Sequence, residues 1–552
     1  MRKIISLLIV LLTSLSCRAE VPSLSITLTP EFSDTKLKGI QVTEVYSGLE
    51  GSAPVFSVSR TVGPLKNVAN RITELTLTDS EGVIPLVEEE TKPATLKVSD
   101  PVSWRSNRVI NGTAILSFSV AVSQERNTGP TWELRTDEKG ISGAGITFLI
   151  LAEDDRLFNT TVNWDLAAFP WPSTQINSLP EGENFPLNRL LVTYFMAGDL
   201  TSLPESDSPF NAASLQHFDA IGTGELLEWS SATYKKLSEF YDTPGLQPFT
   251  VLFRNNPLIM QSGTALPEAL MVAAKKENSE QQLKQILMHE MVHVFLHGLA
   301  DEAWFQEGLA IYYQDRAAYL LGMLSPQEYT SRMNETLLTY YSNVKKDMTM
   351  ADATAAFWTD ARARLQPYNR GAMYFFITDG RIREATGGSQ SLDTVLNQFL
   401  AMFRAGEPVE EEDWINLLTS ITGKYARQDF DAMQNGMLLV PNNASQGQCF
   451  TLHKSSTPLF ELGFDIGSLM QAPRIIHGLN LQSPAAIAGL EEGDVVLNTI
   501  SLDAQQSTPH SPITLTVKRS GGDKVISFIP AGPLTTSYEW TFTGSNEDIS
   551  CF

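Results

Sequence analysis

The stretch Met288-His289-Glu290-Met291-Val292-His293 decides how the rest of the chain is read. It lies in an apolar run from Lys284-Gln285-Ile286-Leu287 to Val294-Phe295-Leu296, a pattern that predicts a mostly buried helix. Residues four apart share one helix face, so His289 and His293 can aim two imidazole nitrogens at one point. Glu290 stands beside them, placed to take the proton of a water held there. Downstream, Trp304-Phe305-Gln306-Glu307-Gly308-Leu309-Ala310 predicts a second apolar helix, and the chain between allows a turn. Glu307 then completes a His2Glu set, which leaves the fourth position of a zinc site open. A charged, imidazole-bearing cluster in an apolar helix is costly unless it is paired or binds a metal. The expectation is one Zn2+ per chain on His289, His293 and Glu307, with Glu290 as general base. His297 follows His293 by one more turn but reads as a helix-end residue near a C-terminus that favours cations.

The chain around this motif has 552 residues, too many for one core, and its 42% apolar and 19% charged residues suit a globular protein. Its 63 acids against 40 bases give a net charge of −23, which argues against nucleic acid as a partner. Met1-Arg2-Lys3, the apolar core Ile4 to Leu15 and the small residues Cys17 and Ala19 predict a signal peptide over 1–19. Export to the periplasm or beyond the cell follows. Acylation at Cys17 ranks second, because Ser14 stands where a leucine is usual. No later stretch is long and apolar enough to span a membrane. Cys449 and Cys551 bracket the last part of an exported chain, which suggests a disulfide.

Period-two alternation in Ser23–Thr29, Ile72–Leu77 and Ala114–Val122 predicts a β-sandwich-like domain over 20–185. Residues 186–445 mix strands with many helices and carry the motif. Within them, Gly263-Thr264-Ala265, with Pro267 close behind, suits an edge strand just before the motif helix. Such an edge can bind substrate backbone by strand addition. Residues 446–552 form a third unit, with a strand over Glu461–Ile466 and a hairpin of Ile513–Arg519 with Val525–Phe528.

Three motifs in the central region resemble the gluzincin metallopeptidases, and within them the glycyl aminopeptidase family. They are His289-Glu290-x-x-His293 with Trp304-x-x-Glu307-Gly308, then Tyr368-Asn369-Arg370-Gly371-Ala372, and Ile382-Arg383-Glu384-Ala385-Thr386-Gly387-Gly388. The stretch Ser483-Pro484-Ala485-Ala486-Ile487-Ala488-Gly489-Leu490 resembles a PDZ domain, and so implies a β-barrel-like unit that binds an extended peptide, often a C-terminus, near Leu462-Gly463-Phe464. The resemblance implies a multidomain α+β protein whose catalytic domain is thermolysin-like and mainly α-helical. It also implies that Tyr368 donates a hydrogen bond to the developing oxyanion. Gly263, Thr264, Ala265 and Arg370 are candidates for substrate contact, Arg370 being equally readable as structural.

The chemistry expected is zinc-assisted hydrolysis of peptide bonds, aminopeptidase-like, on a peptide or protein substrate. Two other readings stay open. One is a non-catalytic adaptor on a degenerate protease fold. The other is an endopeptidase, since the acidic amine-binding motif of gluzincin aminopeptidases has no clear counterpart before the motif helix.

Overall fold

Alternating apolar and polar residues carry the first part of the chain into strands. The computed structural model describes residues 21–544, except 64, 90–95, 97, 99, 123–130, 181, 204–208, 244–246, 257–261, 297–298, 300–301, 408 and 471. The expected signal peptide, Cys17, His297 and Cys551 lie outside the described residues. The bridge expected between Cys449 and Cys551 falls there too.

The first compact unit ends at Asp199 and omits a short segment before Glu133. Its largest sheet has seven strands, with Ser23–Ser33 and Lys36–Ser47 side by side near the middle. Leu24, Ile26 and Leu28 face the same core as Ile40 and Val42 across that antiparallel pair. Two four-stranded sheets complete a β-rich body. The sequence boundary at 185 falls short. Tyr194–Gly198 is buried throughout and pairs with both Gly140–Ala144 and Thr174–Asn177, so those residues belong to the first unit.

The second unit runs from Leu200 to the end of the chain. Its five-stranded sheet has the order Thr201–Ser202, Phe210–Ser214, Phe249–Asn255, Ala269–Ala274, Ser262–Leu266. The three inner strands are parallel. Their near-continuous apolar sequences reflect burial on both faces, as parallel strands require. Ser262–Leu266 is antiparallel to its neighbour and forms the sheet edge.

The motif helix, Glu280–Phe295, begins with a capping box in which Ser279 and Gln282 bond each other's backbone. The helix Ala303–Leu320 packs against it, and Pro326–Ser342 and Gln366–Thr386 pack in turn against Ala303–Leu320, around one large apolar core. Gly387 closes the last of these at φ +63, a left-handed cap that only glycine adopts without cost. Arg383 of the third motif is structural, its Nε donating to Asp379 Oδ2 at 2.9 Å, and so is Asp393 just beyond it, both of whose carboxylate oxygens accept from Arg316 at 2.9 and 2.6 Å.

The C-terminal residues are less separate than their sequence suggests. Phe450–Phe460 and Ala531–Phe542 form a long antiparallel ribbon whose Phe450 and Trp540 belong to the same core as the motif helix. Asn334 bonds the backbone of Trp540 in both directions, at 2.9 and 2.6 Å. The remainder is a four-stranded sheet containing the expected hairpin, Ile513–Arg519 with Gly522–Phe528. The strand expected over Glu461–Ile466 does not form. Gly463 turns the chain at φ +82, its carbonyl accepts from Asn480 N–H at 2.8 Å, and Asp465 N–H donates to His477 O at 2.9 Å. Those backbone groups are spent on a crossing segment rather than on a ladder.

Candidate active site

The motif helix presents its histidines as the spacing predicts. His289 Nε2 and His293 Nε2 lie 3.3 Å apart. Glu307, in the first turns of the helix Ala303–Leu320, brings Oε2 to 3.4 Å from the first nitrogen and 3.3 Å from the second. Among the described residues, these three are the one His/Cys/Asp/Glu group whose ligand atoms all lie within 4.8 Å of one another.

Two glycines allow this convergence. A Cβ on Gly308 would sit 2.5 Å from the Gly371 carbonyl carbon, and one on Gly371 would sit 2.4 Å from Trp304 O. The helices carrying Glu307 and Tyr368 therefore touch backbone to backbone, a spacing that no side chain at either position permits. Tyr368 reaches the site from the other helix. Its hydroxyl faces the Glu307 carboxylate. Its ring lies 6.3 Å from that of His289, nearly parallel at 17°. Burial, then the charges of Glu307 and Glu290, push the phenol well above its ordinary value, so it stays a proton donor.

Glu290 is 7% exposed, and the edge strand passes over it. A Cβ on Gly263 would fall 2.2 Å from Glu290 Cγ, so only glycine lets the strand come this close. The Ala265 backbone N–H faces the carboxylate and favours its charged form. Burial is the largest influence and pushes this carboxyl up to about 7, with His289 opposing and Glu307 reinforcing. For Glu307 burial also works against the charge, but the two imidazoles outweigh it and hold the carboxyl well below the usual carboxylate range. Two glutamates in one site are thus driven in opposite directions.

The donor set fits a metal ion. Glu307 Oε2 is buried and makes no hydrogen bond of acceptable geometry, although two imidazole nitrogens lie against it. His289 Nδ1 faces Gln314 Oε1 at 3.1 Å, an acceptor that requires the ring proton on Nδ1 and leaves Nε2 bare. Gln314 Nε2 donates in turn to Asp315 Oδ2 at 3.2 Å, and Arg332 Nη1 donates to Asp315 Oδ1 at 2.9 Å. This buried relay fixes the tautomer that metal ligation needs. The sequence reading missed Gln314, Asp315 and Arg332. Gln314 lies two helical turns beyond Glu307, on the same face, and a Gln-Asp pair interrupts an apolar helix there; that was the available signal.

Arg370 is not a substrate residue. It is fully buried, and its guanidinium donates to the carbonyls of Met433, Lys346, Ala432 and Met437. It ties the tyrosine helix to two distant backbone segments, and its donors are spent there. Gly263 and Ala265 do border the site through Glu290, whereas the Thr264 hydroxyl bonds its neighbour's carbonyl, Gly263 O, at 2.6 Å.

No protein-family model matches the chain, and no curated protein matches it. Solved structures do. An M1 zinc metallopeptidase from Deinococcus radiodurans is 15% identical, with 77% of this chain and 96% of that chain covered at a TM-score of 0.42. Leukotriene A4 hydrolase from Saccharomyces cerevisiae is 11% identical, covering 76% and 68% of the two chains at 0.43. An aminopeptidase N family protein from Idiomarina loihiensis is 13% identical, with 94% of this chain and 98% of that chain covered at a TM-score of 0.68. That near-complete overlay shows that this chain has the mixed α+β, multidomain fold of an aminopeptidase N family protein.

Proposed function

We propose that the chain is an exported zinc metallopeptidase that hydrolyses peptide bonds, aminopeptidase-like in its choice of substrate. The observation that carries this reading is the convergence of His289 Nε2, His293 Nε2 and the hydrogen-bond-free Glu307 Oε2, with the buried Glu290 carboxyl alongside. When bound, zinc supplies a Lewis acid that polarises the scissile carbonyl and makes water a better nucleophile. Glu290 takes the proton of the attacking water and passes it to the leaving amine. Its displaced pKa marks a carboxyl able to hold that proton between the two steps. Tyr368, kept protonated by burial and then by its carboxylate neighbours, donates to the oxygen that gains charge. Substrate backbone adds beside the outer strand Ser262–Leu266, which Gly263 brings against Glu290. Export rests on the sequence of residues 1–19.

An endopeptidase is the second reading. One observation favours it: Ser262–Leu266 carries no acidic side chain to receive a free ammonium. Digestion of one peptide set, with free and with acetylated N-termini, separates the two. Loss of cleavage on acetylation supports the aminopeptidase, and persistence supports the endopeptidase. The same assay with Glu290→Gln tests the shared chemistry, and undiminished hydrolysis by that variant overturns it.

A further inference from the structure

The C-terminal lobe also meets the segment that leads into Tyr368. The short helix Ala361–Arg364 leads directly into the helix Gln366–Thr386, with Leu365 as the single residue between them. Tyr368 sits in the first turn of that second helix, four positions after Arg364. Ala361 is 1% exposed and belongs to the apolar core of the C-terminal lobe, with Leu462, Phe464 and Leu502. Arg364 donates from Nη2 to both Asp503 oxygens at 3.1 Å and from Nε to Oδ1 at 3.3 Å. Asp503 lies on the helix Leu502–Ser507, which packs against both Ala361–Arg364 and Pro326–Ser342. The Arg364 Nη1 also donates to Phe357 O at 3.0 Å, so the guanidinium is held from two sides.

We infer that the C-terminal lobe is a clamp on Ala361–Arg364, and that Asp503 is a positioning residue that sets Tyr368 through Arg364. The lobe's helix is engaged by the chain's own segment. The strand to which an outside peptide would be added is absent at 461–465 among the described residues. Both facts point inward, to a lobe that grips its own catalytic body. The path from clamp to hydroxyl is short and stiff. Apolar burial fixes Ala361, a forked ion pair fixes Arg364, and a continuous helical chain carries their position to Tyr368. The catalytic part of the inference rests on the oxyanion role proposed for Tyr368; the mechanical part does not.

The test uses the full chain with Asp503→Asn, Arg364→Met and the exchanged pair Asp503→Arg with Arg364→Asp. Hydrogen exchange is read over 361–371, with 289–293 as the internal control. The expected result is exchange about tenfold faster over 361–371 in the single variants, with no change over 289–293, and recovery in the exchanged pair. Unchanged exchange over 361–371 in both single variants overturns the clamp. Turnover tests the catalytic part. Asp503→Asn should lower kcat about tenfold at constant KM and constant zinc content, since small misplacements of a catalytic group carry such penalties. In a Tyr368→Phe background it should add nothing, and an equal loss in that background overturns the positioning role. If Tyr368→Phe itself leaves kcat intact, the oxyanion assignment fails while the exchange result still decides the clamp.

Discussion

Gly308→Ala is the sharpest test of how this site is assembled. The new methyl carbon would stand 2.5 Å from Gly371 C, 2.6 Å from its Cα and 3.0 Å from Ala372 N. Carbon atoms in contact settle at about 3.5–4.0 Å, so the helices must part by about 1 Å at this crossing. The obstacle is backbone on a buried helix, and no side-chain rotation relieves it. Overpacking of this kind costs about 1–3 kcal/mol. The larger consequence falls on Glu307, the preceding residue. Metal sites hold their distances to about ±0.2 Å, so a shift near 1 Å takes the carboxylate out of range. Zinc affinity, measured by competition with a chromogenic chelator, should fall by at least about tenfold to a hundredfold. The melting temperature of the chelated protein should fall by a few degrees. Gly387→Ala is the control: it puts a side chain at φ +63 with nothing within 4 Å, so it should cost about 1 kcal/mol and leave zinc affinity alone. Equal zinc affinity in Gly308→Ala and wild type would refute the claim that close helix contact sets the ligand geometry.

Four further outcomes follow from the same geometry. Glu290→Gln should lower kcat by at least about a hundredfold with zinc content unchanged, read by elemental analysis beside turnover. Gln314→Leu should weaken zinc binding about tenfold to a hundredfold by freeing the His289 tautomer, with apparent Kd from the same chelator competition as the readout. Arg370→Met should destabilise the metal-free protein, because four backbone carbonyls lose a buried donor, and a melting temperature equal to wild type would count against that role. In the metal-free protein, the Glu290 carboxyl is raised from 4.5 to about 7, so the folded state holds the extra proton and stability from this group falls as pH rises through that window. Wild type should therefore lose stability relative to Glu290→Gln between pH 4.5 and 7, and parallel pH–stability curves would exclude the shift.

Much of this was legible in the sequence, for identifiable reasons. The motif helix, the strands with period-two alternation and the Ile513–Arg519 hairpin are each fixed by local patterns, and they form where expected. The convergence of His289 and His293 was legible because helical spacing converts sequence distance directly into a shared face. Other features depended on contacts between distant segments. Arg370 reads as a binding cation until the carbonyls of Lys346 and Met433 are seen around it. The segment 461–465 has the composition of a strand, but its partners come from Asn480 and His477. Asp503 carries no motif at all; its place is set by how the C-terminal lobe folds back onto Ala361–Arg364.

What the sequence conceals most completely is the use of missing side chains. Gly263, Gly308 and Gly371 each stand where a methyl group would strike something within 2.5 Å: the Glu290 side chain in the first case, a helix backbone in the other two. The three contacts do different work on one constellation. Gly308 and Gly371 set the distance between Glu307 and Tyr368, while Gly263 sets how near the strand Ser262–Leu266 comes to Glu290. The resulting closeness also explains why the two glutamates diverge. Glu307 is pressed against two imidazoles and holds its charge, whereas Glu290 is roofed by a strand and readily keeps a proton. Pairs of titratable groups whose surroundings push them apart mark a division of labour between ligand and base. Here that division is already present in the protein's own packing, so Gly263→Ala should impair Glu290 as surely as a change to the glutamate itself, while leaving the metal ligands and zinc content untouched.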